Sequence, residues 1–223
     1  MQSKGTITPE TLDFFKQIAE NNNKVWFENN RPTYETVKAN YLEFMGDLIP
    51  KIKQIDQIVD KDLKKYASRI YRDIRFSKNK SPYKNNISSL IERALDFKKC
   101  PFYIHIQPNS SFMGAGVYQP DSALLKRVRQ EIDYNSSELY KIIGKPSFKE
   151  TFGKITGDSL VRPPKGYEED NPNIELLKLK FYIVRKDFSD EEVMSPDFAD
   201  NLAAIYREAL PFLEFMDNTI EGE

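Results

Sequence analysis

The 223-residue chain contains one cysteine, Cys100, and one histidine, His105. A single cysteine excludes an intrachain disulfide and any CxxC zinc site. A single histidine excludes HExxH and every multi-histidine metal centre, so no His/Cys-type metal site is expected and no cofactor is implied. There are only nine glycines. GxxxxGK[ST] occurs nowhere, and "GAG" at Gly114–Gly116 lacks the third glycine and the following helix of a dinucleotide fingerprint. It reads as hairpin or bulge glycines. No apolar run approaches the length of a membrane span. The opening "MQSKGTITPE" lacks the apolar segment of a signal peptide. The expectation is a soluble, cytoplasmic protein without a membrane partner.

What the chain does have is enough apolar material for a core. Hydrophobic residues make up 39% and aromatic residues 13%, and a chain of this length buries a core without covalent staples. Thr8 and Pro9 read as an N-cap and first helical position, with Leu12, Phe15 and Ala19 sharing one face. "KVWFENNR" is a short helical connector. A longer helix follows from Pro32, its Tyr34, Val37, Tyr41, Phe44, Leu48 and Ile52 at helical spacing, with Pro50 predicted to kink or end it. The middle of the chain is strand-like: "RIYRDIRFS", "ISSLIERAL", then "FYIHIQ" and "SFMGAGVYQ" split by the hairpin signal "PNS". Asp121 or Ser122 caps a helix with Leu124, Leu125, Val128 and Ile132 inward. "SSELYKIIG" and "SFKETFG" are short helices ending at glycine. "RPPKGYEEDNPN" is a loop and "LLKLKFYIV" the last strand. Ser195–Pro196 opens a final helix whose Phe198, Leu202, Ile205, Ala209, Phe212 and Met216 form one stripe. The predicted fold is α+β, a mainly antiparallel sheet in the middle of the chain covered by N- and C-terminal helices. No linker or repeat divides residues 1–223, which read as a single domain.

Charge is near balance overall, at −1, so net charge alone makes no case for nucleic acid. Its distribution is uneven. Residues 61–84 carry nine Lys/Arg against Asp62 and Asp73, a local balance of +7. Residues 187–223 carry eleven Asp/Glu against Arg207 alone, a balance of −10. In the basic stretch "SRIYRDIRFSKNKSPYK", an extended strand puts Arg69, Tyr71, Asp73, Arg75 and Ser77 on one face. Arg72 goes to the other. The turn "SKNKSPYK" then folds Lys80, Tyr83 and Lys84 back toward the first face. Arginine forks match phosphate or carboxylate bidentately. Asp73, the acid within that stretch, is the candidate for proton transfer, and its arginine neighbours keep it ionised, which suits a base. Arg162 and Lys165, stiffened by Pro163, Pro164 and Gly166, form a second candidate site. The bland alternatives stand beside these. The arginines pair with Asp73 and the acidic C-terminal segment as a structural network, His105 is a hydrogen-bonded strand residue, and Cys100 is an ordinary thiol despite Lys98 and Lys99 ahead of it. In "NNNKVWFENNR", Trp26 packs as core, and Asn21, Asn22 and Lys24 are capping residues or ligand contacts.

Five blocks in order, "NNNKVWFENNRPTY", "RIYRDIRFSKNKSPYK", "SFMGAGVYQP", "RPPKGYEEDNP" and the closing "SPDF…PFLEF", resemble an uncharacterised family of bacteria and fungi, domain of unknown function 2461. The resemblance spans Leu12 to Phe215. It implies one full-length domain and carries no reaction, ligand or catalytic residue. The family often shows Asp where this chain has Asn79. The function expected from the residues is binding of, or catalysis on, a small anionic, phosphorylated ligand at 69–84. The alternatives are a protein-interaction domain whose basic segment is an ion-pair network, and a nucleic-acid-binding module with Tyr71 and Tyr83 to stack. The sequence does not decide whether a reaction takes place.

Overall fold

The computed structural model describes residues 5–93 and 100–220. The chain is α+β. A four-stranded antiparallel sheet, ordered β1-β2-β3-β4, comes from the middle of the chain and is flanked in sequence by N- and C-terminal helices. The strands are β1 (Ile87–Ile91), β2 (Phe102–Ile106), β3 (Ser111–Val117) and β4 (Tyr182–Phe188). The helices before the sheet are α1 (Pro9–Glu20), α2 (Lys24–Asn29) and α3 (Arg31–Lys53). Between β3 and β4 come α4 (Ser122–Tyr134), α5 (Ser136–Ile143), α6 (Pro146–Phe152) and α7 (Ile174–Leu177). After the sheet come α8 (Asp190–Met194) and α9 (Phe198–Asp217). No described helix is long and apolar enough to cross a membrane.

The chain divides into two compact units: Met1–Ile91 with Tyr103–Met113 and Asp187–Ala204, and Glu92–Phe102 with Gly114–Lys186 and Ile205–Glu223. In the first unit, the apolar spacing of α3 buries Tyr34, Val37, Tyr41, Phe44, Leu48 and Ile52 as predicted. Pro50 does not stop this helix, which runs to Lys53. Pro50 lies in the last turn on an exposed position, and the ladder loses only the one bond that its own N–H would have made. On α1 the buried face is Leu12, Phe14, Phe15 and Ile18 rather than one including Ala19. Asn40 anchors the start of α1: its Oδ1 accepts from Thr8 N–H at 3.1 Å and Thr11 Oγ1 at 2.8 Å, and its Nδ2 donates to Thr6 O. Phe198 stacks on Phe44 (5.5 Å between centroids, 19°) and meets Phe188 edge-on. The Gln107–Ser110 turn closes the β2–β3 hairpin, with Asn109 at positive φ. Ser189 and Glu192 form a capping box at the start of α8.

In the second unit, Asp121 caps α4 by accepting from Leu124 N–H at 2.8 Å. Val128 and Ile132 are buried, while Leu124 and Leu125 are only half-buried. The segment predicted as one strand, "LLKLKFYIV", is partly helical: Ile174–Leu177 forms α7, and the strand starts at Tyr182. Gly116 lies inside β3 at φ +127°, and a Cβ there would sit 2.3 Å from the Tyr182 carbonyl oxygen. So "GAG" serves close backbone approach within a strand. The carboxylate of Asp217, ending α9, pairs with the Arg93 guanidinium, with both side chains almost wholly buried. It also accepts from Cys100 N–H at 2.8 Å. Lys98 and Lys99, ahead of Cys100, lie outside the described residues, as do the last residues of "ISSLIERAL".

The predicted stripe on the last helix is buried throughout: Phe198, Leu202, Ile205, Ala209, Phe212 and Met216. Phe212, fully enclosed beside Phe148, is predicted to cost about 3–5 kcal/mol when truncated to Ala. Asp217→Ala removes a buried, shared carboxylate and is predicted to cost about 3–5 kcal/mol as well. Urea unfolding measures both, and an unchanged midpoint in either variant refutes the corresponding assignment.

Candidate functional site

The basic stretch does not form the long strand predicted for it. Among its residues only a short ladder survives. Ser68 N–H donates to Ser88 O (2.9 Å), Lys84 N–H to Ile70 O (2.8 Å) and Arg72 N–H to Pro82 O (2.9 Å). Tyr71 and Tyr83 form an isolated antiparallel bridge. Between these arms, residues 73–81 make a loop. The cause lies in the sequence: "DIRFSKNKSP" places like charges and a proline where a strand would need paired neighbours.

The neck of the loop is held from the N-terminal side. Asn22 Nδ2 donates to Tyr83 O at 2.9 Å, and its Oδ1 accepts from Tyr83 N–H at 3.0 Å. Asn23 caps α2 by accepting from Trp26 N–H at 3.0 Å. Tyr83 is buried, its ring stacked on Phe27 at 4.2 Å. Phe27 also meets Tyr34 and Tyr71, and Trp26 packs on Phe14 at 5.8 Å. Arg31 lies over the Phe27 ring at 5.1 Å and grips Glu28 with two hydrogen bonds (2.9 and 2.7 Å). Hydrogen bonds from Arg31 to Glu28, and with Tyr71, raise the Arg31 pKa. The "NNNK" and "SPYK" blocks are thus one local structure. Asn22 and Asn23 are its fasteners, and Tyr83 is core rather than an open stacking surface.

The cations of the stretch divide by partner. Arg75 makes a two-pronged pair with Asp73 (Nε to Oδ1 3.0 Å, Nη2 to Oδ2 2.7 Å), and both side chains are largely exposed. The Arg75 side chain and backbone N–H hold the Asp73 carboxyl below its ordinary range. Asp73 is therefore an ionised carboxylate with both oxygens already bonded to Arg75. Arg72 donates to Ser81 O at 3.1 Å and Lys80 to Ile74 O at 3.0 Å, so both brace the loop. Arg69 and Lys84 remain. Arg69 is exposed, Lys84 is half-buried, and the ladder sets Lys84 opposite Ile70, the residue after Arg69 in sequence. Burial and, secondarily, the Arg69 charge lower the Lys84 pKa. Among the described residues, neither forms an ion pair. Phe76, at the loop's outer end, is 95% exposed.

Arg162 is exposed in the second candidate loop, while Lys165 lines an open groove of about 640 Å³ in the second unit. His105 sits on the less buried face of β2. Its Nδ1 lies 3.2 Å from the Tyr103 hydroxyl and its Nε2 3.0 Å from Gln107 Oε1, and its ring stacks on Phe112 at 4.8 Å. The period-two spacing of Tyr103, His105 and Gln107 was the readable signal for that strip. No group of three or more His, Cys, Asp or Glu able to hold a metal ion occurs among the described residues.

An α+β chain with a basic loop fastened by "NNNK" is what the geometry defines. Residues 10–215 match the family described as "Conserved hypothetical protein (DUF2461)", and the chain belongs to that family. No curated protein and no solved structure matches it.

Asn22→Ala removes both half-buried bonds to Tyr83. It is predicted to destabilise the protein by about 1–3 kcal/mol. It is also predicted to raise protease cutting in 73–81. Unchanged stability together with unchanged cutting contradicts the clasp.

Proposed function

We propose that this protein binds a small anionic, phosphorylated ligand through Arg69 and Lys84. The observation carrying this reading is the placement of Lys84, half-buried within reach of the Arg69 charge, with no carboxylate paired to either among the described residues. Two adjacent cations without an acid repel, and a folded chain that keeps one of them partly desolvated gives up stability there. An anion between them removes that cost. Arg72, Arg75 and Lys80 shape the loop and do not compete for the ligand. Asp73, already gripped by Arg75, is the remaining acid for any proton transfer.

The test is thermal unfolding with added inorganic phosphate. A ligand specific to the folded state raises Tm by mass action. Phosphate is expected to raise Tm in the native chain and in Arg75→Ala, and to have no effect in Lys84→Met. An equal rise in Lys84→Met refutes the assignment. The pH dependence has a definite sign. Lys84 is harder to protonate in the folded chain, so its penalty is complete below the lowered pKa and fades as pH rises toward the ordinary lysine range. Without phosphate, Lys84→Met is therefore expected to melt above the native chain at neutral pH, and the gap to close in alkaline buffer. A gap of opposite sign rules out the strained cation.

A second reading, nucleic-acid binding, is favoured by Phe76, exposed among Arg75, Lys78 and Lys80. It predicts single-strand binding that weakens steeply with salt and that Phe76→Ala reduces. Salt-insensitive phosphate binding favours the first reading.

A further inference from the structure

The groove of the second unit presents a different combination of groups. It lies along α4 on the side away from the buried Val128 and Ile132, and takes in Lys126, Arg127, Glu131 and Tyr134 at helical spacing. Lys165 and Tyr167 come from the proline-stiffened loop, and Thr219 from the turn after α9. At about 640 Å³ the groove is of small-molecule size, within the roughly 300–1,000 Å³ of ligand pockets.

Three features define what fits. First, Arg127 Nε donates to Thr219 O at 3.0 Å, which fixes the guanidinium plane. Lys165 is set by Pro163, Pro164, the Tyr167 N–H to Pro164 O turn (3.2 Å), and Gly166 at φ +95°. A Cβ at Gly166 meets nothing within 4 Å, so glycine is required there by backbone conformation rather than by space. Second, the groove's charges do not neutralise one another. Glu131 accepts from Asn135 Nδ2 and Asp133 from Asn171 Nδ2, each at 2.8 Å. Among the described residues, neither acid pairs with Lys126, Arg127 or Lys165. Third, Tyr134 at the end of α4 is 90% exposed, leaving a ring face open at the groove's rim.

We infer that this groove binds a phosphorylated small molecule carrying a flat ring, of the mononucleotide class. Lys126, Arg127 and Lys165 take the phosphate. The ring lies against Tyr134. Glu131 accepts from a ring amine or a sugar hydroxyl. This site is separate from Arg69–Lys84 and does not rest on that reading.

The experiment is calorimetric titration of the full chain with the four 5′-mononucleotides singly, and with inorganic phosphate. At least one nucleotide is expected to bind at one site per chain, and more tightly than phosphate. Lys165→Ala and Tyr134→Ala, both at exposed positions, are each expected to weaken it roughly tenfold, the scale of one charge-assisted or stacking interaction. Both variants should keep the native Tm. Lys84→Met is expected to bind the nucleotide like the native chain, which separates this site from the other. Phosphate binding as tight as any nucleotide, affinity unchanged in both groove variants, or no nucleotide binding below about 1 mM overturns the inference.

Discussion

The ion pair between Arg93 and Asp217 constrains the second unit more than any other described interaction. Both side chains are nearly inaccessible, and the same carboxylate holds the Cys100 N–H. A buried charge is tolerated only with partner and geometry both in place. The last residue of α9, a point just after β1 and a point just before β2 are therefore fixed together or not at all. That coupling sets the register of the helix end, whose Phe212 and Met216 are enclosed just before it. A helix shifted by one residue would leave Asp217 without its partner as well as moving its apolar stripe.

The pair also bears on the uneven charge of the chain. An acidic C-terminal segment and a basic middle one look in sequence like natural partners. The residue of the acidic segment that is buried with a cation is Asp217, and the cation is Arg93, outside 61–84. Lys51, from α3, takes Asp200. Within the basic stretch Asp73 and Arg75 form a local, exposed pair, worth little in water. Arg69 and Lys84 form no ion pair among the described residues, and Lys84 meets the Arg69 charge at a half-buried position.

The elements with strong periodicity were legible in the sequence. α3 and α9 bury the stripes their spacing indicates, and the β2–β3 hairpin follows from alternation broken by "PNS". Weaker elements were decided by tertiary partners. "LLKLK" alternates like a strand, yet its first residues form α7, where Leu177 is buried. "RIYRDIRFS" alternates too, but its pairing ends with Arg72 and Pro82, where the like charges and proline of the loop begin, and Asn22, some sixty residues upstream in sequence, holds the returning arm at Tyr83. Of the candidate site, the residue types were readable and their partners were not. Nothing local in the sequence distinguishes Arg72, which binds a carbonyl, from Arg69, which has no such bond among the described residues. Lys165 was visible as the tip of a stiff loop. Its company with Tyr134 and Arg127 depends on a helix about thirty residues earlier.

The loop after Tyr71 is fastened at its base to the N-terminal helices, and beyond it, among the described residues, only to itself. Its neck is closed by the Asn22 clasp and by Phe27 stacked on Tyr83, whereas residues 75, 76, 78, 79 and 80 are exposed. Such a segment behaves as a surface appendage on a closed ring. Its length and composition can drift through evolution, or an inserted epitope can replace its outer end, without disturbing the hydrogen bonds that define the neck. A change at the outer end then leaves the two blocks that clasp the loop in register with each other.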